Sequence, residues 1–302
     1  MSLRILPVPG MGTEDVVVAD DAVYTGTGDG SIWRVTHDGH RIDRVASTGG
    51  RPLGIELTAD GRLVVCDPRG LLRVDPATGV VETLVERVDG KPMAFCNNAA
   101  IADDGTIWFS DSSLHHGIGR WRDEMAMNTR TGRLLRLDPG AAEAQVVDEG
   151  LAFANGVALA ADGSYVAVAE TAARTVVRRW LTGPQAGDRD LLVSSLPGYP
   201  DNIARGSDGL IWVAIASPGD ALVERIQRAP WWVRRAATRV PTRLQPGPRR
   251  TVHVQAYDDH GRLVHDVDVP ADGFHMVTGV REHSGRVWLS SLHEPALAIV
   301  DL

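Results

Sequence analysis

Six stretches of this chain repeat one pattern, in which a short apolar strand runs to a tight turn and a second apolar strand returns. They read EDVVVADDAVYTG from Glu14, LGIELTADGRLVVCD from Leu53, NNAAIADDGTIWFSD from Asn97, NGVALAADGSYVAVAE from Asn155, DNIARGSDGLIWVA from Asp201 and VTGVREHSGRVWLSS from Val277. With Asp21, Asp60, Asp104, Asp162, Asp208 and Ser284 as equivalent turn positions, the spacings are 39, 44, 58, 46 and 76 residues. Asp-Gly between two apolar runs is a β-hairpin signal, and intervals of this size each hold one four-stranded sheet, as in a propeller blade. Further hairpins such as SIWRVTHDGHRIDRV and LLRVDPATGVVETLV fill the intervals. After the last inner hairpin only ALAIVDL remains, so the N-terminal RILPVP is expected to add the missing outer strand and close the ring, leaving no open edge. The fold expected is therefore all-β, a single six-bladed β-propeller domain over residues 1–302. The 32 glycines and 17 prolines agree with a chain made of turns.

One segment breaks the repeat. Residues 217–250 are rich in arginine, carry Trp231-Trp232 and contain a helical run from Asp220 to Arg228 that stops at Pro230. Both ends leave the top of blade five, which predicts a partly helical insertion over the top face, either a lid or substrate wall or a packing cap.

The net charge of −8 argues against a nucleic-acid surface, which needs clustered positive charge. Cys66 and Cys96 lie in separate apolar runs without CxxC spacing, so they read as small buried hydrophobes rather than zinc ligands or a disulfide. MSLRILPVPG lacks the apolar core of a signal peptide and no stretch is long enough to span a bilayer, so a cytoplasmic location without a membrane span is expected. The sequence leaves the oligomeric state open.

Seven residues before each turn stand Glu14, Leu53, Asn97, Asn155, Asp201 and Val277. In a propeller the innermost strand of each blade lines the axial channel, so these positions converge at one end of it. Four of them carry oxygen donors, and Asn202 beside Asp201 could add another. Two carboxylates with amides, and no Cys or His, suit a hard cation, Ca²⁺ before Mg²⁺ or another divalent ion. The strands that return toward this end finish near Asp111, His115, His116, Glu170 and His293, which are expected to rim the site and contact substrate. The His115-His116 pair adds proton transfer near neutral pH beside a cation.

The stretches GTEDVVV, FCNNAAIADDGTIWFSDSS, FANGVALAADG, GYPDNIARGSDGLIWVA and VREHSGRVWLSSLHEP resemble the strictosidine-synthase-like branch of the six-bladed propellers, a superfamily that also holds paraoxonases and the gluconolactonase group. The resemblance implies a catalytic calcium held by a Glu, two Asn and an Asp-Asn pair, which fall here on Glu14, Asn97, Asn155, Asp201 and Asn202. Two departures stand out. Thr278 occupies the place of the synthase glutamate, which makes the synthase reaction unlike this chain, and Asn98 replaces a frequent Asp. The implied activity is calcium-dependent hydrolysis of a small lactone or ester, with Asp201, His115 or His116 activating water. Asn97 and Asn155 would also position substrate, and Trp231 and Trp232 would favour an apolar acyl group. The alternatives are a bond-forming or isomerising enzyme of specialised metabolism and a non-catalytic ligand-binding propeller with structural calcium.

Overall fold

A computed structural model describes residues 3–245 and 247–302. Its strands form six four-stranded antiparallel sheets, with one additional two-stranded ribbon. From the axis outward, blade one comprises Val16–Val18, Ala22–Gly26, Ser31–Thr36 and Ile42–Ser47. The innermost strands of blades two to six are Ile55–Leu57, Cys96–Ile101, Ala154–Leu159, Gly198–Arg205 and Val277–His283. In blade six the outermost strand is Leu3–Pro7, paired antiparallel with Ala296–Asp301 from Leu3 opposite Val300 to Pro7 opposite Ala296. The first strand thus completes the last blade, as the sequence predicts.

Each blade is apolar on both faces because it is sandwiched between neighbours. The buried side chains sort into one cluster per blade interface plus a seventh, with Leu53, Phe95, Met125, Phe153 and Tyr199, at the end of the axis beneath the helices. Trp212, Phe274 and Leu289 pack between blades five and six, and Trp108, Val157 and Val166 between three and four. Trp288 and Leu297 meet Val23 and Val35 across the closure between six and one. Burying aromatic rings of this size contributes about 2–3 kcal/mol each. Cys66 and Cys96 are free, buried thiols between blades two and three.

The inner strands carry two features that place the site. The first is a break in register between Cys96 and Ala99, between Ala154 and Val157, between Pro200 and Ile203, and between Val277 and Val280. Such a bulge bends the strand and re-aims its side chains. In three of these blades the re-aimed pair includes Asn97, Asn155 or Asp201.

The second is a belt one residue further along, counted in blade six from Thr278, which the strand register places level with Asn155 and Asp201 in the position expected for Val277. Asp15, Asn98 and Asn202 alternate around the axis with Gly54, Gly156 and Gly279. A Cβ on Gly54 would lie 2.5 Å from Asn98 Cα, one on Gly156 2.6 Å from Asn202 Cα, and one on Gly279 2.8 Å from Asp15 Cα. The polar members tie blades together. Asp15 Oδ2 accepts from Ile55 N and from Asn98 Nδ2, each at 3.0 Å, while Asn98 Oδ1 accepts from Val157 N at 2.8 Å.

Among the described residues, three α-helices lie outside the blades: α1 (Trp121–Met127), α2 (Ala221–Arg228) and α3 (Trp231–Ala237). In α2, Asp220 is the N-cap, its Oδ1 accepting from Leu222 N and Val223 N, and the helix ends before Pro230 as expected. Helix α1, inserted between the second and third strands of blade three, is absent from the sequence expectation. Its C-terminus is closed by Asn128 in the left-handed conformation at φ 42°. The inner faces of the helices meet through Gln227 Nε2 donating to Met125 O at 2.9 Å and Arg234 NH1 donating to Met127 O at 2.6 Å.

Candidate functional site

A cavity of about 1210 Å³, its open mouth included, lies where the axis meets the helices. Its floor carries Glu14, Asn97, Asn155 and Asp201. Its walls are mostly apolar, with Phe95, Trp121, Met125, Phe153, Tyr199 and Ile226 among them, and Arg122 and Arg249 also reach it.

The amide groups on the floor are oriented by their nitrogens. Asn97 Nδ2 donates to Ser112 Oγ at 2.8 Å, and Ser112 Oγ in turn donates to Ala154 O. Asn155 Nδ2 donates to Thr171 Oγ1 at 3.1 Å, and that hydroxyl donates to Pro200 O. Asn202, just beneath, donates from Nδ2 to Glu14 Oε2 at 3.2 Å. With the nitrogens committed, the oxygens Oδ1 of Asn97, Asn155 and Asn202 are buried and have no hydrogen-bond donor among the described residues. An orphaned buried oxygen costs about 1–3 kcal/mol, so three around two carboxylates point to a positive partner outside the chain. Glu14, Asn97, Asn155, Asp201 and Asn202 therefore fit a calcium ion as a donor set of oxygens alone. Among the described residues no three His, Cys, Asp or Glu side chains are grouped to hold a metal, consistent with a set in which three of five donors are amides.

The electrostatics agree. Burial pushes Asp201 up to about 7, reinforced by the charge of Asp15 and opposed by the Asn155 side chain. Burial, followed by the charges of Asp201 and Asp15, raises Glu14 well above the usual carboxylate range, while Asn202 and Arg51 pull it back. Asp15, in the belt below, is also pushed up to about 7 by burial. Without a cation the folded state retains protons that an unfolded chain releases near pH 4, so stability is present below about 4 and lost as pH rises through about 7. Melting curves of chelator-treated protein are expected to show a lower transition at pH 8 than at pH 5, and added Ca²⁺ to reverse the difference.

Other residues expected at the site lie elsewhere. His116 sits with Nδ1 2.7 Å from Glu124 Oε2, and the buried Glu124 also accepts from Ser113 Oγ and Thr129. That cluster anchors α1, so the His116 ring is consumed in packing the insertion, while His115 is exposed. Asp111 is ion-paired with Arg133 at 2.6 Å. Glu170 accepts from Ala152 N and Thr175 Oγ1. His293 packs edge-on against His275, with burial, then His275 and Arg122, holding it below the ordinary histidine range. Trp231 and Trp232 are 57% and 68% exposed on the outside of α3. None of these seven lines the cavity.

The apolar wall comes instead from Trp121 and Met125 of α1, with Phe95, Phe153 and Tyr199 from loops and strand ends. The 58-residue interval between Asp104 and Asp162, and Trp121 and Met125 four residues apart, are the sequence signals for that insertion. Thr278, at the synthase glutamate position, is fully buried and donates to Glu14 O at 2.7 Å. It therefore holds the Glu14 backbone and presents no acid to the cavity.

Residues 18–242 match the SMP-30/gluconolactonase/LRE-like region family. The chain belongs to that family. Within it, this family member is 32% identical to the adipocyte plasma membrane-associated protein of Danio rerio over 97% of this chain and 76% of that one. It is 33% identical to the strictosidine synthase-like 10 protein of Arabidopsis thaliana, over 84% of this chain and 70% of that one. Among solved structures it superposes on a gluconolactonase from Xanthomonas campestris with a TM-score of 0.72 at 19% identity, covering 99% and 89% of the two chains. The calcium-binding regucalcin of Agrobacterium tumefaciens gives a TM-score of 0.68 at 13% identity, covering 99% and 93%. These two structures share the propeller fold of this chain.

Proposed function

We propose that this chain is a calcium-dependent hydrolase of apolar lactones or esters. The observation that carries this reading is the trio of orphaned amide oxygens beside Glu14 and Asp201, at the bottom of a cavity whose walls are apolar. Bound there, Ca²⁺ would supply Lewis-acid polarisation of the substrate carbonyl and charge stabilisation worth several kcal/mol. Glu14, Asn97, Asn155 and Asn202 would hold it, with Glu14 kept in place by Asn202 Nδ2 and by Thr278 and Ser290 on its backbone carbonyl.

Asp201 is the group suited to move the proton. It is the floor carboxylate left outside the four-residue donor set, and it keeps surface toward the cavity, from which it can take a proton from water. It accepts a proton from water as the oxygen bonds to the carbonyl carbon. It then returns that proton to the leaving alkoxide as the carbon–oxygen ester bond breaks. Phe95, Trp121, Phe153 and Tyr199 shelter the reacting group from bulk water and favour an acyl or aryl substituent over a sugar polyol. This assigns to α1 the selectivity that the sequence suggests for Trp231 and Trp232.

Acid release from a panel of aliphatic and aromatic lactones and esters, followed before and after EGTA and again with Ca²⁺ restored, tests the reading. Activity that falls at least about a hundredfold with EGTA and returns with calcium is the expected result. Stoichiometric calcium binding without turnover of any panel member would instead support a non-catalytic, ligand-binding propeller.

A further inference from the structure

The segment that covers the cavity has an outer face that the proposed reaction does not use. Residues 217–250 carry eight arginines against Asp220 and Glu224 on a chain whose net charge is −8. Arg249 lines the cavity, Arg234 turns to Met127 O, and Arg228 and Arg250 face Glu224 and Glu294, which leaves Arg225, Arg235, Arg239 and Arg243 as the outward cations. The same segment exposes large apolar side chains: Leu222 is 51% exposed, Trp231 57%, Trp232 68%, Val240 41% and Leu244 69%. On α3 the exposed residues Trp231, Trp232, Arg235 and Ala236 recur at helical spacing, followed by exposed Arg239 and Val240. On α2 the exposed Leu222 and Arg225 stand three apart on one face. The opposite faces are occupied, since Val223, Ile226 and Ala237 line the cavity and Arg234 binds Met127 O. The Arg235 guanidinium lies 5.4 Å from the Trp231 ring centre, an outward-facing pair of cation and aromatic.

We infer that this outer face docks on an anionic lipid surface. Tryptophans partition to the boundary between headgroups and acyl chains, and arginines beside them meet the phosphates. The charge complementarity is local: the rest of the chain, which is strongly acidic, is repelled by the same surface, so the molecule has one orientation in which it can approach. In that orientation the cap helices lie between the membrane and the axial cavity. The inference is independent of the hydrolytic reading, because it rests on the outer face alone.

The test uses the full chain with vesicles of phosphatidylcholine alone and of phosphatidylcholine with about one third phosphatidylglycerol. Flotation is expected to recover the protein with the anionic vesicles, accompanied by a blue shift of tryptophan emission, and to show at least about tenfold weaker binding to the neutral ones. Two variants separate the contributions. Trp231→Ala/Trp232→Ala is expected to abolish the blue shift and weaken binding at least about tenfold, and Arg225→Glu/Arg235→Glu/Arg239→Glu to abolish binding. All five positions are exposed, and matching melting temperatures verify that each variant is folded. Equal binding of wild type and both variants would overturn the inference. So would absence of vesicle binding together with a concentration-dependent dimer that the tryptophan variant dissociates, which would make a second copy the occupant of this face.

Discussion

Glu14→Gln combined with Asp201→Asn is expected to abolish calcium binding and to reduce hydrolysis by at least about a thousandfold, while raising the melting temperature of the metal-free protein at pH 8. The two effects have opposite signs for one reason. Burial raises the pKa of both carboxyls, and the charge of Asp201 raises Glu14 further, so at alkaline pH the metal-free fold carries negative charge that nothing neutralises. Amides of the same shape remove that cost, but they also remove the charge that draws a divalent cation into the site. Calorimetric titration with Ca²⁺ and melting curves in chelator measure the two effects separately. A variant that lost activity and melted lower in chelator would place these side chains among the supports of the fold rather than the charges that draw in an ion. Single Asn155→Ala is the milder companion, expected to weaken binding by removing one neutral oxygen and to leave metal-free stability nearly unchanged.

The second large effect concerns the belt rather than the floor. Gly156→Val is expected to destabilise the fold by about 3 kcal/mol or more, with a fall in melting temperature of about 6 °C. A Cβ at Gly156 would lie 2.1 Å from Ile203 N and 2.6 Å from Asn202 Cα. Both obstacles are backbone of the next blade, so no rotamer change relieves them, and blades four and five must move apart. Because Asn202 is the residue displaced, calcium affinity should fall together with stability. Urea unfolding at fixed calcium concentration checks the first, and calcium titration of the folded variant the second. Gly163→Val in the solvent-exposed turn of the same blade has no Cβ obstacle within 4 Å, although its φ of 69° carries strain of its own. Gly156 has no positive φ, so Gly163→Val is expected to lower stability while leaving calcium affinity unchanged, and a Gly156→Val variant that did the same would show that the axis is not crowded.

How much of this was legible in the sequence follows from what each residue faces. The six inner hairpins could be read because each turn, Asp-Gly in four of them, is a local event encoded within four residues. The closure by Leu3–Pro7 could be read by counting strands. The oxygen donors could be found because propeller symmetry converts a sequence offset into a common position on the axis. The same offset passes silently over what comes next: Asp15, Gly54, Asn98 and Gly156 make sense only against the neighbouring blade. A reading one blade at a time sees in Asn98 a lost charge, whereas its amide donates to Asp15 and accepts from Val157 N. An aspartate there would set two carboxylates against each other and remove the donor. The histidines misled for a similar reason. Strand polarity brings His115 and His116 toward the right end of the channel, but the partner that captures His116 is Glu124 on α1, a helix without an obvious repeat to announce it. Trp231 and Trp232 misled because an aromatic pair in a covering segment has two faces to choose from, and the inner one was already taken by Val223, Ile226 and Ala237.

The pairing of Leu3–Pro7 with Ala296–Asp301 makes the ring's continuity depend on five residues at the start of the chain. If that strand peels away, Ala296–Asp301 becomes a free β-edge whose residues Leu297, Ala298, Ile299 and Val300 are otherwise among the most deeply buried in the protein. An edge of that composition accepts a matching strand from any source, so two molecules with detached first strands can each complete the other. The first strand is therefore a latch against self-association, and a short peptide of its sequence is a ready competitor for the place it fills.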